Sequence, residues 1–542
     1  MSNPRNAPVS RRQFIHGGAL AAGAALAASS SWASPRRSDF VPAIVIGSGF
    51  GGAVAALRLG QAGIDTLVLE RGRRWPIRSD GNTFATFEQP DGRAYWLRDR
   101  TGEALLGLPQ LEKQIDRYTG VLEVVEGNGI AIGNGAGVGG GSLVFNAIIV
   151  KPRRALFERL FPSEIDFSEM EDVYYPRVTS VIQSAPIPDD ILATDYYLSS
   201  RVSLDQAVKA GFPTRPVDLA VDWDIVRDEI AGRRVPSAIA GQSFYGLNSG
   251  AKRSLDHNYL PQAEATGHVE ILPLHTALAI ERGQGGRYAV TVAQLSDDGQ
   301  VVGVPQRMTC TYLFLAAGSI GTTSLLVRAR ARRALPALSE HVGQHWAANG
   351  DIAVIRGALP ATNAATGGPG GHFIFEDFEN PIEATSLVEI VLPPHINSAL
   401  AAFGAPPSFA NYASLGIAPA VGTFAYEAAT DRVGLHWPTT DPRVTRFLAA
   451  AQHTLATLDQ RTGAVTISFN PAVSAHPLGG AVLGKACDLA GRVKRCPGLY
   501  VVDGALIAGS TGLANPSFTI AALAERCMDQ ILGRDHLTNR GD

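Results

Sequence analysis

Cysteine is scarce. The 542 residues hold four, Cys310, Cys487, Cys496 and Cys527, too few for a disulfide framework and without the spacing of a metal site. Buried free thiols are the default, with a Cys487–Cys496 bridge the alternative outside the cell. Charge of one sign is also missing: 47 Lys and Arg face 50 Asp and Glu, a net charge of −3. A nucleic-acid binder needs a basic stripe, so that class is excluded and small molecules are the expected partners. No apolar run reaches the ~20 residues that span a bilayer. Glycine, by contrast, is abundant at 58 residues, as suits a loop-rich α/β enzyme, and the length allows two or more domains.

The nearest approach to a membrane-like run is Gly17 to Ala28, which follows SRRQFI at Ser10 to Ile15 and precedes the small residues around Ser31-Trp32-Ala33. An arginine pair, a short apolar run and a small-residue cleavage site read as a twin-arginine export signal over residues 1–34. The expectation is export by the twin-arginine machinery, to a secreted or periplasmic location, with the mature chain starting near Ser34. Cleavage removes Arg5, Arg11, Arg12 and no acid, and takes the net charge from −3 to −6. This pathway carries folded proteins, which suits a chain that takes up a cofactor before it leaves.

The segment from Ala43 to Arg73, AIVIGSGFGGAVAALRLGQAGIDTLVLERGR, reads as strand, glycine turn, helix and second strand. Ile44 to Ile46 suit a strand buried on both faces, and Gly47, Gly49 and Gly52 follow at GxGxxG spacing. The first glycine permits the turn, the second admits a pyrophosphate to the backbone, and the third lets the helix sit close. The free N–H groups of the helix start then face the phosphates. Glu70 ends the second strand, where an acid accepts hydrogen bonds from a ribose 2′-OH and repels a 2′-phosphate. A dinucleotide site follows, NADP disfavoured, with FAD and NAD left open.

Further along, Trp75 to Arg100 is aromatic and turn-rich, either a lid or a segment packed on a second domain. Ile130 to Val150 (IAIGNGAGVGGGSLVFNAIIV) concentrates glycine again, with Gly139, Gly140 and Gly141 before Ser142. So many residues without Cβ suggest backbone pressed against a flat ring or a pyrophosphate, with Asn146 as a polar contact. Residues 151–251 lack βα alternation and read as part of a second domain. Strand character returns at His268 to Leu272, Tyr288 to Ala293 and Arg307 to Leu315, ending in a glycine and a helix from about Thr322, so the nucleotide domain is discontinuous.

The strand Ser386 to Leu392 places Leu387, Glu389 and Val391 on one face, with Glu389 its only ionisable group. Buried, the carboxyl is fitted to proton transfer; facing water, it is an ordinary surface acid. His476 lies in HPLGG, extended before Pro477, and is structural or catalytic. Leu499 to Asp503 is another buried strand ending in an acid. Asn515 suits an N-cap and Pro516 the first position of a helix running to about Ile531.

Together GSGFGG at Gly47, GVGGGSLV at Gly137, FYGLNSG at Phe244, YLFLAAGS at Tyr312, HPLGG at His476, LYVVDGALIAGS at Leu499 and NPSFTIAALAER at Asn515 make a chain that resembles the bacterial cholesterol oxidases of the glucose-methanol-choline (GMC) oxidoreductases, in the form that holds FAD non-covalently. The resemblance runs from about Ala43 to Ile531. It implies an α/β fold, with a discontinuous Rossmann-like FAD-binding domain (40–74, 105–150, 252–345, 491–536) and a mixed-sheet substrate domain (75–104, 151–251, 346–490). Gly47, Gly49, Phe50, Gly52 and Glu70 would hold the ADP half of FAD; Gly139, Gly140, Gly141, Ser142 and Asn146 would pass beside the pyrophosphate and isoalloxazine. Ala277, Asp503 and Phe518 complete the implied cofactor set, and no metal is implied. His476 with Asn515 would orient and deprotonate a 3β-hydroxyl, with O2 as oxidant and a sterol as substrate, extracted in transient contact with a membrane surface. Glu389 would project into the steroid cavity and isomerise the Δ5-3-ketone to the Δ4-3-ketone. Similar chains carry aromatics or methionine where this one has Leu387, Ser517, Ala475 and Ile148. The rival expectations are a GMC oxidase or dehydrogenase of another bulky apolar alcohol and a sterol-binding flavoprotein without turnover.

Overall fold

Five short parallel strands form the sheet on which the glycine turn is built. Their order is Leu499–Val501, Tyr312–Leu315, Ala43–Ile46, Thr66–Leu69 and Val269–Leu272, with Ile44 opposite both Leu67 and Leu313. Both faces are covered, which is why these strands read as unbroken apolar runs rather than alternations. The structure is a computed structural model, and it describes residues 39–103, 109–392, 408–468 and 473–539. The expected export segment lies outside the described residues.

The helix Phe50–Gln61 follows the turn and packs against the helices Tyr259–Ala265 and Pro516–Arg534. A Cβ on Gly52 would stand 2.0 Å from the Gly47 carbonyl oxygen, so only glycine lets the helix approach. The helix after Leu315 spans Gly318–Ala331, starting four residues before the expected Thr322. Gly318, at φ 76°, turns the chain straight from strand into helix.

The second large sheet has six strands in antiparallel order: Val465–Ser468, Ile352–Gly357, Ala410–Leu415, Thr385–Ile390, Phe373–Asp377 and Thr214–Pro216. One face carries Ile374, Val388 and Ala413, packed on Ile148, Val217 and Ala514. The other carries Val354, Phe375, Leu387 and Tyr412, packed on Ala207 and Leu455 of the helices Leu198–Lys209 and Pro442–Thr462. The latter helix starts where Asp441 accepts the Arg443 N–H at 2.8 Å with Pro442 in the first turn, and stops at Gly463, as its composition dictates. Val444, Phe447, Ala451, Leu455 and Leu458 are its buried stripe.

Trp75 to Arg100 is packed, and two of its aromatics, Phe87 and Tyr95, also line the cavity described below. Trp75 stacks on Phe84 at 5.4 Å, and Phe87 and Tyr95 meet the Tyr245 ring at 4.8 and 5.5 Å. All four cysteines are buried free thiols, so the Cys487–Cys496 bridge does not form. No helix among the described residues is long and apolar enough to cross a membrane.

Candidate active site

A cavity of about 750 Å³ runs from the first glycine turn to His476. It is lined by Gly47, Gly49, Phe50, Glu70 and Ala277, by Gly140, Gly141, Asn146 and Asp503, and by His476 and Asn515. Whether these residues fit a dinucleotide can be judged from the space they leave. A Cβ added at Gly49 or Gly141 would meet nothing within 4 Å, whereas one at Gly47 would stand 2.3 Å from the Ala316 oxygen. Glycine at 49 and 141 therefore keeps the cavity wall open to a ligand, and glycine at 47 serves the turn. Glu70 accepts from Ser48 N and Oγ at 3.1 and 2.7 Å and from Gly72 N at 2.9 Å, which fixes the carboxylate and leaves it acceptor capacity for a ribose hydroxyl. Asp503 accepts from Thr322 Oγ1 at 2.5 Å and Ala505 N at 2.9 Å, and burial pushes its pKa up to about 6. The cradle fits a dinucleotide.

Four of the residues expected at the cofactor, Gly52, Gly139, Ser142 and Phe518, do not line this cavity. Gly139 and Ser142 stand behind it: Ser142 Oγ donates to the Gly139 carbonyl at 2.7 Å and accepts from Leu255 N at 2.9 Å, holding the loop that presents Gly140 and Gly141. Phe518 is turned into the core, its ring 4.7 Å from that of Tyr175. Gly52 likewise serves helix packing. Lys252, passed over in the sequence, is buried behind the same loop and donates to the Leu143 and Ser243 carbonyls at 2.9 and 2.7 Å; burial lowers its pKa to about 7.

At the far end the structure brings His476 and Asn515 together. Asn515 Nδ2 lies 3.3 Å from His476 Nε2, and His476 Nδ1 lies 2.8 Å from Asp351 Oδ1. Asn515 has the backbone of an N-cap with Pro516 in the first turn, yet its side chain makes no capping bond. The amide forgoes the cap to meet the imidazole, and its Oδ1 is left buried without a partner. Asn349, in the turn that carries Asp351, ties the loop before Asn515 by donating to the Ala514 carbonyl at 2.9 Å and accepting from Thr511 N at 2.9 Å. Asp351 was missed in the sequence because it stands 125 residues from His476 in a stretch with no periodicity of its own.

Glu389 is not in this site. Its strand neighbours Val388 and Ile390 line the cavity, and period-two alternation turns Glu389 to the opposite face. There it sits opposite Tyr412, 4% exposed, with the Ser199 and Ser200 hydroxyls as partners. Burial raises its pKa to about 7. The expected projection into the cavity is corrected accordingly: the residue is buried and neutral-leaning, as proton transfer needs, but on the wrong side of the sheet. Of the four departures, Ile148, Ala475 and Ser517 line the cavity, while Leu387 packs behind the sheet. No group of three or more metal-ligating side chains among the described residues is placed to hold a metal.

Comparison with known proteins gives the family and the fold. Models of the GMC oxidoreductase family match residues 43–347 and 430–524. A protein of Mycobacterium tuberculosis (strain ATCC 25618 / H37Rv) named Cholesterol oxidase is 27% identical over 556 residues, 89% of each chain. One of Acinetobacter baumannii with the same name is 25% identical over 568 residues, 90% of this chain and 94% of that one. Among solved structures, pyridoxine 4-oxidase from Mesorbium loti superposes with a TM-score of 0.60 at 14% identity, over 91% of this chain and 99% of that one. A fungal aryl-alcohol oxidase gives 0.59 at 14%, over 92% and 100%. At that identity the structures share the fold, which is of the expected α/β class, although the second large sheet is antiparallel throughout in place of the expected mixed one, and the family implies a flavin, FAD being the usual one. The model match from Ala43 alone covers more than half of the residues, and the chain belongs to the GMC oxidoreductase family as a flavoprotein oxidoreductase.

Proposed function

We propose that this protein is an FAD-dependent oxidase of 3β-hydroxysteroids such as cholesterol, which converts the alcohol to the ketone while O2 becomes hydrogen peroxide. The observation that carries the reading is the pairing of His476 Nε2 with the Asn515 amide at the end of a cavity whose walls include Phe87, Ile148, Val388, Ile390 and Ala413. An apolar wall suits a rigid hydrocarbon, and the two polar groups suit its one hydroxyl.

An alcohol oxygen entering between these groups displaces their weak mutual contact. Its proton goes to Nε2, and its oxygen accepts from Asn515 Nδ2. Gly140, Gly141 and Asn146 would form the wall for the flavin ring, and Glu70 and Asp503 would hold its ribose and ribityl portions. Bound FAD supplies the acceptor for the hydrogen and electron pair that leave the carbinol carbon, and O2 takes up two electrons and two protons. Holding acceptor and alcohol together is where much of the acceleration comes from. Isomerisation by Glu389 is left out of the proposal, since its carboxyl lies across the sheet; the expected product is the unconjugated ketone. Export through the residues 1–34 signal completes the reading, with the flavin taken up before transport.

A second reading, oxidation of another bulky apolar alcohol, is favoured by the small residues Ala353, Ala413, Ala475 and Ser517 on the cavity wall. Anaerobic mixing with cholesterol distinguishes them. Bleaching of the flavin absorbance supports the sterol reading; no bleaching by cholesterol but bleaching by another alcohol supports the second. His476→Gln keeps its flavin and bleaches at least tenfold more slowly, and an unchanged rate removes His476 from the mechanism.

A further inference from the structure

The imidazole of His476 has two distinguishable nitrogens, and only an unprotonated one can take a proton. Which nitrogen is bare is decided by what the other one meets. Nδ1 meets a carboxylate, Asp351 Oδ1 at 2.8 Å, and an ionised carboxylate only accepts. The ring proton therefore sits on Nδ1, and Nε2 carries a lone pair toward the cavity.

The consequence passes on to Asn515. A bare Nε2 requires a donor, so the amide presents Nδ2 to it at 3.3 Å and leaves Oδ1 buried and unpaired. With the opposite tautomer the amide would turn over, and the alcohol oxygen would face a carbonyl that cannot donate to it. The carboxylate itself is held on its second oxygen, by Ser474 Oγ at 2.7 Å and Ala475 N at 3.2 Å. Ser474 Oγ in turn accepts from the His476 backbone N at 3.0 Å. Asp351 is thus clamped by the residues that immediately precede the histidine it serves.

We propose that Asp351 is a positioning residue of the oxidation: it fixes the His476 tautomer and, through it, the direction of the Asn515 amide. The role rests on the proposed alcohol oxidation at His476. It also goes beyond it, because it states which proton is where before any substrate arrives.

The test has two arms. Nitrogen NMR of 15N-histidine-labelled, flavin-loaded protein, with the resonance assigned by its loss in His476→Gln, reads the tautomer of the neutral ring directly. A protonated Nδ1 and a bare Nε2 are expected; a protonated Nε2 overturns the proposal. The second arm is Asp351→Asn, in which the amide can donate to Nδ1 and drive the proton to Nε2. The tautomer is expected to reverse, and the anaerobic bleaching rate at saturating alcohol to fall by up to about 10⁴-fold, the loss seen when a carboxylate orienting a histidine base is neutralised. KM and flavin content stay within about twofold. An unchanged rate, or a loss explained by KM or by missing flavin, overturns the role. If no alcohol bleaches the wild-type flavin, the oxidation reading fails, and the tautomer measurement still decides the placement of the proton.

Discussion

Glu389→Gln separates a carboxyl that reaches the reacting centre from one that belongs to the far face of the sheet. Burial raises the Glu389 pKa from 4.5 to about 7, a shift that corresponds to about 3 kcal/mol at 1.36 kcal/mol per unit. The sign follows from proton uptake. Between the unfolded and folded values the native state holds the proton and the unfolded chain does not, so the contribution of this group to stability is fully present below pH ~4.5 and is lost as the pH rises through about 7. Glutamine keeps the size and a hydrogen-bonding head for Ser199 and Ser200 but cannot ionise. The variant should therefore match the wild type near pH 5 and exceed it at pH 8 by up to about 3 kcal/mol, with the pH dependence flattened. Urea titration of the flavin-loaded protein at both pH values measures this, and sterol turnover measured alongside should be unchanged. A variant with the wild-type pH dependence and lost turnover, or with wild-type production of a conjugated enone abolished, would place the carboxyl in the cavity and refute the reasoning.

The second and third glycines of the turn should separate binding from folding. Gly49→Ala should fold normally, since its φ of −70° is ordinary and its Cβ meets nothing within 4 Å, yet lose flavin affinity by at least about tenfold, or ~1.4 kcal/mol. Gly52→Ala should fail to fold, its Cβ being 2.0 Å from the Gly47 oxygen; circular dichroism and flavin content read both. Glu525, fully buried, binds Arg58 through two contacts of 2.6 and 2.7 Å and Tyr259 Oη at 2.9 Å, joining the glycine-turn helix to the C-terminal helix. Glu525→Ala leaves the arginine with its Gln61 contact alone and should cost up to about 3 kcal/mol, read as a lowered melting temperature; a shift of a degree or less would show that the pair contributes little.

The local elements were legible because their signals are local. The run Ile44 to Ile46, the glycine spacing and Glu70 specify a βαβ unit through sterics and short-range hydrogen bonds alone. Asp441, Pro442 and Gly463 mark both ends of a helix in the same way. Alternation correctly grouped Leu387 with Glu389 on one side of their strand. It carries no information on which side faces the cofactor, because a period of two is unchanged when the strand is turned over.

The sequence by itself thus determined the nucleotide cradle, the family and the candidacy of His476 and Asn515. Tertiary structure alone decided that Glu389 lies behind the sheet, that Phe518 points into the core, and that Asp351 meets His476. The physical reason is the range of the interactions. A turn or a cap closes within a few residues, whereas the orientation of a strand face and the partner of an imidazole nitrogen are set by contacts between segments more than a hundred residues apart, which no local pattern encodes.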